Sequence, residues 1–490
     1  MTFGFFIITI AVLAAVLTLV FKFSNIEIKN SLMSYLQNFA GILFIVSGFV
    51  KAVDPMGTAI KMEEYFSEFE LTFEGTAIKF IAPMFSWFSE HAMIFSIVMI
   101  ILEIMVGVLL IMGAMRKTVS WTYFLLMAFY TLLTGYTFLS GFVPQSANIF
   151  DFSSWGDYSI NNMRVTDCGC FGDFIIIDAR TTFLKNIFFI IPGFYFIFKY
   201  RDMHQLFTKR GRSLITLLLT IGLIFFCLYN YKWNLPVIDF RPFREGVDIR
   251  EQRKLEEQAL ANISTVYIIK KKDSDMVMEL DSDVYMKEYK KYPSETWEII
   301  DQISEKPEIE STKISEFFFT DLDGNEFGEE IMNDPGYTFL IACEKLKYEG
   351  TEQVKVMMND TLFSIDTIQT MDDVIVLNRV PKNIVKKEVE MTKFLFDEEF
   401  LETFRQKVLP LATKAIEKGH KVYIVTGSGS EDIMNSFSQE LESRIPILTA
   451  DDVLLETIIR SNPGVVLMKD GRIISKWHHL RIPAFENIDL

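Results

Sequence analysis

The sequence predicts an α-helical membrane bundle followed by a soluble α+β domain, and three observations predict it. Six stretches of about twenty residues are almost free of charge, the length that a hydrocarbon core demands. Charge is split along the chain: residues 1–235 hold 16 of the 48 Lys and Arg and 15 of the 64 Asp and Glu, leaving 32 against 49 for residues 236–490. From about residue 312 the apolar residues fall into short runs that alternate with amphipathic segments, the rhythm of strands and helices. The acidic second half repels phosphates and excludes nucleic acid as a partner.

Each span is read from its own residues. Gly4–Phe21 is uncharged, with no basic residue before it and no small-residue cleavage site after it, so it reads as a retained helix and not a signal peptide. Ser31–Val50 is uncharged and ends at Lys51, an interface anchor, with Asp54 and Pro55 beyond it as a helix stop. Ala92–Met115 holds a single charge, Glu103, and Thr118–Phe142 holds none. Thr181–Phe198 includes Lys185 near one end, where its stem can snorkel to the interface. Ser213–Tyr231 completes the set. Basic residues gather in the loops after spans one, three and five, with Lys199, Arg201, Lys209, Arg210 and Arg212 after the fifth. The positive-inside rule makes these loops cytoplasmic; the N-terminus, the loops after spans two and four, and the acidic half then face outward.

The outward loop after span four contains TDCGCFGD (166–173), in which Cys168 and Cys170, two of the chain's four cysteines, flank one glycine. Zinc needs about four Cys or His ligands. None of the five histidines (His91, His204, His420, His478, His479) falls in this loop, so no metal is assigned. A redox pair needs only two thiols. The small ring through Gly169 can close with strain, and strained disulfides are oxidising and labile. Asp167 and Asp173 oppose thiolate formation and Arg164 offsets them. An incidental turn fits the same letters, and the residues alone leave both readings open. Cys227, near the end of span six, and Cys343, in the acidic half, fall on the same outer side, where disulfides persist. Glu103 stands near the middle of span three, where a carboxyl must be neutral, paired or exposed to a polar cavity. It reads as a proton carrier or as a tie between helices, to Thr131, Thr134 or Tyr136.

Three stretches carry a resemblance. NFAGILFIVSGFVKAVDP (38–55) resembles the first core helix of the DoxX/MauE superfamily of membrane proteins, and ILEIMVGVLLIMG (101–113) resembles its E-x-x-x-G helix. DCGCFGD (167–173) is similar to the CxCFG signature of the MauE-like, redox-associated branch. The likeness runs over roughly residues 36–200. It implies a four-helix membrane core at 31–200, with the helices at 1–30 and 201–235 as additions. MauE-type members are associated with disulfide formation during maturation of a periplasmic enzyme, and DoxX-type members are similar to subunits of thiosulfate:quinone oxidoreductases. The cysteine motif favours the MauE side.

After a linker and a small β-rich region (236–311), with a hairpin at 264–280 around a lysine-aspartate turn, the order becomes strand–helix. YTFLIAC (337–343), HKVYIVT (420–426) and IPILTAD (445–451) read as strands, helices fill 397–418, 430–443 and 452–460, and SNPGVVLMKDGRIISKW (461–477) reads as a closing hairpin. A helix break is expected near Pro410. His478 and His479, ending a strand, should face opposite ways at the surface and share no metal. TDLDGNEF (320–327) and the Asn462-Pro463 step before the last hairpin resemble the thioredoxin fold, which would occupy 312–490. The departure lies at ACEKLKYEG, where a thioredoxin-like protein would show CxxC and this chain has Cys343 alone, read as a buried small hydrophobe. The fused layout is similar to a family from Bacteroidetes.

The resemblances together imply a multi-pass protein of the bacterial inner membrane with a periplasmic C-terminal domain. Cys168 and Cys170 would exchange electrons with the thiols of a periplasmic client, with a quinone as the candidate cofactor. Glu103 would handle the proton, and the Pro463 loop would dock the client. A non-enzymatic envelope assembly scaffold and a DoxX-type thiosulfate:quinone oxidoreductase subunit are the alternatives.

Overall fold

All six expected spans form helices, in the first of two units into which the chain divides, Met1–Arg241 and Pro242–Leu490. A computed structural model describes residues 2–24, 26–165, 169, 172–263, 265–272, 274, 276–304, 309, 311–369 and 375–490. The helices of the first unit are α1 (Phe3–Phe23), α2 (Ser31–Val53), α3 (Pro55–Glu74), α4 (Ala82–Glu90), α5 (Ala92–Met112), α6 (Arg116–Ser140), α7 (Ala179–Lys199) and α8 (Lys209–Leu228). All but α3 and α4 are long and apolar enough to cross a bilayer, which marks a multi-pass membrane protein.

α2 is the most enclosed span and α8 the least. The reason is in its residues. Small and polar side chains on α2 let neighbours approach closely and bond across the interface, the packing that lipid favours. A Cβ at Gly107 of α5 would stand 2.6 Å from the Gly41 carbonyl oxygen, and one at Gly48 would stand 2.5 Å from Ile104 Cγ1. Gln37 donates to the Leu110 carbonyl at 3.0 Å and Asn38 to Thr18 Oγ1 at 2.9 Å. His204 locks one end of this contact. Its Nε2 donates to the Ile111 carbonyl at 2.9 Å, so Nδ1 accepts from Ser34 Oγ at 2.9 Å. Burial pushes this imidazole below its ordinary value, with the Ile111 bond opposing. Around Tyr123, Phe44, Phe189 and Phe196 a second apolar core joins α2, α6 and α7.

The stretch between spans two and three corrects the sequence reading. Asp54 and Pro55 do stop α2, but they also start α3: the Asp54 carboxylate accepts from Gly57 N at 3.1 Å and Pro55 takes the first helical position. α3 and α4 form a helical hairpin held by rings, with Phe73 and Phe85 stacked at 5.4 Å and Phe69 edge-on to Tyr136 at 4.9 Å.

In the second unit, helix α9 (Ile249–Ala261) precedes a three-stranded sheet of β1 (Thr265–Lys271), β2 (Val277–Asp281) and β3 (Trp297–Ser304), ordered β2-β1-β3 and antiparallel. Helix α10 (Ser282–Glu288) follows β2. The expected hairpin is present; α9 was not anticipated. It is tied down by Glu256, whose buried carboxylate accepts from the backbone and hydroxyl of Thr312 at 3.1 and 2.7 Å.

Beyond the short α11 (Gly328–Met332), the main sheet is built from β4 (Tyr337–Cys343), β7 (Lys421–Thr426), β8 (Ile447–Thr449), β9 (Gly464–Lys469) and β10 (Arg472–His478), in the order β10-β9-β4-β7-β8. β4, β7 and β8 are parallel, while β9 runs antiparallel to β4 and to β10. Helices α12 (Glu398–Thr403), α13 (Leu409–Glu417), α14 (Glu431–Glu440) and α15 (Asp452–Ile458) complete the unit. Phe400, Phe404, Leu411 and Phe437 pack with Phe339, Ile341 and Cys343, the alternate residues of β4, in one core. Between β4 and α12, a stretch without an assigned element in the sequence reading pairs as a long antiparallel ribbon, β5 (Tyr348–Gln369) with β6 (Ile375–Phe396). The helix is interrupted just before Pro410, as expected: the chain passes from α12 through a π-turn at Phe404–Val408 into α13, whose first turn holds Pro410. The histidines differ from expectation. His478 ends β10 and is buried, while His479 begins a 3₁₀ turn, so strand alternation stops between them and their rings pack at 4.0 Å.

Candidate functional site: a buried Glu–Lys–Tyr cluster beside the cysteine loop

Glycine contacts between α2 and α5 bring the end of α2 against the middle of α5, and this sets the geometry of the site. Lys51 Nζ lies 2.7 Å from Glu103 Oε2, with Glu103 only 2 % exposed. From α6, the Tyr130 hydroxyl donates to the same oxygen at 2.7 Å. The Lys51 ammonium also stands 5.0 Å from the centre of the Tyr130 ring, so one aromatic side chain holds both partners. Asn186 of α7 steadies this turn of α6, donating to Thr134 Oγ1 at 3.2 Å and to the Tyr130 carbonyl at 3.3 Å.

Glu103 is where the sequence placed it, but its partners are not those expected. Thr131 and Thr134 bond to carbonyls of their own helix, and Tyr136 bonds to Thr72 of α3. Tyr130 falls between Met127 and Thr134 on the buried stripe of α6, a helical phase that was legible from the residues. Lys51 is not an interface anchor; it turns inward because an intramembrane carboxylate offers it a stronger partner than the headgroup layer does.

The cluster opens into a cavity of about 60 Å³. Thr58, Lys61 and Tyr65 of α3 line it opposite Glu103 and Tyr130, and so does Gly169. Cys168 and Cys170 themselves lie outside the described residues, but the glycine between them stands in the cavity wall. Gly169 has φ of +55° and its carbonyl accepts from Gly172 N at 3.3 Å, the turn its neighbours' composition implied. The preceding loop is anchored by Arg164, whose backbone N–H donates to Ser140 Oγ at 3.2 Å and whose guanidinium lies 3.7 Å from Glu68 of α3. It also donates to the Ala147 carbonyl. Burial lifts the Glu68 carboxyl above its ordinary value, with Arg164 pulling the other way and Glu64 reinforcing the lift. Arg164, expected to offset the loop aspartates, is thus engaged with Glu68.

The remaining predicted residues fall elsewhere. Cys227 is fully buried on α8 among Ala52, Ile100 and Ile104, neighbours in sequence of Lys51 and Glu103. Cys343 is fully buried at the end of β4, where burial pushes its thiol up. Pro463 is buried too; its loop is held by Ser461 Oγ, which donates to the Pro463 carbonyl at 2.7 Å, and by Asn462, which donates to the Lys345 carbonyl at 2.8 Å.

Room in the cavity decides which small molecules suit it. A water needs about 10–15 Å³ on this measure. A few waters therefore fit against Glu103. No curated protein and no solved structure matches the chain. Residues 29–145, the segment that supplies Lys51, Glu103 and Tyr130 but ends before the cysteine loop, match the model of the family described as Methylamine utilisation protein MauE.

Proposed function

We propose that the protein is a membrane thiol–disulfide redox protein whose Cys168–Cys170 pair exchanges electrons with thiols of a periplasmic client. In one turnover a client thiolate attacks the pair's disulfide. The client's second thiolate then resolves the mixed disulfide, so the client leaves oxidised and the pair reduced by two electrons. Two protons pass from client thiols to the cysteines, and Glu103 with its cavity waters is their relay. The observation that carries this reading is the cavity itself, with an ionisable cluster on one wall and the glycine of the CxC loop on the other. The family match over residues 29–145 supports the membrane half of the reading. No step is assigned to a quinone.

Residues 312–490 of the second unit are, in this proposal, a thioredoxin-like client-docking domain without a dithiol. Support comes from the strand order β10-β9-β4-β7 with a parallel β4–β7 pair and an antiparallel final hairpin. The loop of Pro463 would be its docking element. One observation favours the rival scaffold reading: Cys343 is sealed in the core, so it cannot relay electrons onward.

Membrane-impermeant alkylation of intact cells, before and after mild reduction, tests the proposal. Labelling of Cys168 and Cys170 only after reduction is the expected result. Free labelling without reduction, joined to an unchanged phenotype when both become serine, would establish the scaffold instead. Replacement E103Q should slow client oxidation about 10²- to 10⁴-fold, the range for a lost proton-transfer group, and leave client binding intact.

A further inference from the structure

In the second unit, apart from the main sheet, α10 and the segment after it lie beside β1 and β3 and border an open cleft of about 660 Å³. That volume is typical of small-molecule sites. Four aromatic side chains line it: Tyr285, Tyr289, Tyr292 and Trp297. They form shaped walls. Tyr292 and Trp297 meet at 5.4 Å and 88°, making a right-angled corner, and Tyr285 lies nearly parallel to Tyr292 at 6.2 Å. Tyr267 backs Tyr285 from behind at 4.9 Å. Ile269, buried on β1, is part of the lining.

Charge narrows the ligand. Two lysines, Lys272 and Lys290, share the lining with two carboxylates, Glu295 and Glu298, so the walls carry no net charge and disfavour a strongly ionic ligand. Lys272 is already committed, donating to the Ser294 carbonyl at 2.7 Å. What remains is an apolar corner surrounded by donors, acceptors and tyrosine hydroxyls, which serve as both. A ligand suited to it presents flat C–H faces to rings and a rim of hydroxyls to both donors and acceptors. A fatty chain wastes the rim, and a polyproline peptide has no use for the carboxylates.

We infer that this cleft is a binding site for a neutral saccharide, stacked in the Tyr292–Trp297 corner and hydrogen-bonded by Lys290, Glu295 and Glu298. The site is independent of the redox proposal and involves none of its residues.

The test uses the full chain in phosphatidylcholine nanodiscs, because glucoside and maltoside detergents would compete. Chitotetraose, cellotetraose and maltotetraose are titrated by calorimetry and saturation-transfer NMR, with decaproline as the rival. Saturable binding of at least one tetrasaccharide is expected, weakened about tenfold or more in W297A and within about threefold of the parent in W297F. Y289A alters an exposed rim residue and should weaken binding a few-fold while leaving the fold alone, which covers the case of a misfolded W297A. Binding of decaproline instead, binding indifferent to both Trp297 and Tyr289, or no binding by any of the three sugars would each overturn the inference.

Discussion

Lys51 and Glu103 show how an ion pair behaves away from bulk water. Each charge is affordable in lipid only because the other neutralises it, so removing one partner is worse than removing both. K51M and E103M should each destabilise the bundle by about 3–5 kcal/mol, and K51M/E103M should recover much of the loss. Thermal unfolding in nanodiscs, analysed as a double-mutant cycle, measures it; strictly additive changes would show that the pair is not coupled. Cys343 offers a second case. C343A should cost about 1–2 kcal/mol and C343S more, because a serine hydroxyl there would be buried among apolar side chains without a good partner. Native protein should leave Cys343 unlabelled by a thiol reagent that labels it in urea. Glu103 was legible in the sequence as a lone charge in an apolar run. Its partners were less so, because Lys51 looks like an end-of-helix lysine until α5 is laid beside it.

Elements were legible in proportion to how far local pattern decides them. The six spans declare themselves by length and hydropathy, and the β/α alternation of the second unit by its rhythm. α3 and α4 did not, because rings and carboxylates are interleaved there and a membrane scan passes over such segments. The ribbon of β5 and β6 escaped as well: its strands pair with each other in a two-stranded sheet between residues up to 48 positions apart (Tyr348 with Phe396), a separation that no local pattern reveals. The contact between α2 and α5 is the element on which the site depends. Even G107A places a methyl group 2.6 Å from the Gly41 carbonyl oxygen, so the helices must part. A loss of about 1–3 kcal/mol is expected, with reduced client oxidation as Lys51 draws away from Glu103. Unchanged thermal stability in G107A would mean that the two helices have slack.

At the level of the whole molecule, the two units should respond differently to acid. Burial, reinforced by Lys407 and then Lys347, pushes the His479 imidazole from 6.5 down to about 4. Between those values an unfolded chain binds a proton that the folded one refuses. Stability of the second unit should therefore rise with pH from about 4 to about 6.5 and level off above. Hydrogen exchange in β10 of the full chain, corrected for intrinsic rates, should show the opening at low pH, and H479Q should flatten the response. The bundle answers to a different variable. While Lys51 and Glu103 cancel, the pair contributes no net charge at its depth in the bilayer, and the electrical field across the membrane does no work on it. A proton arriving on Glu103 leaves a net positive charge there. Moving a full charge across the membrane is worth about 2.3 kcal/mol per 100 mV, and a site part of the way in feels a proportionate share. Proton transfer through the cluster would then be sensitive to voltage, so a collapse of the membrane potential should change the turnover rate of the parent protein and leave E103Q indifferent.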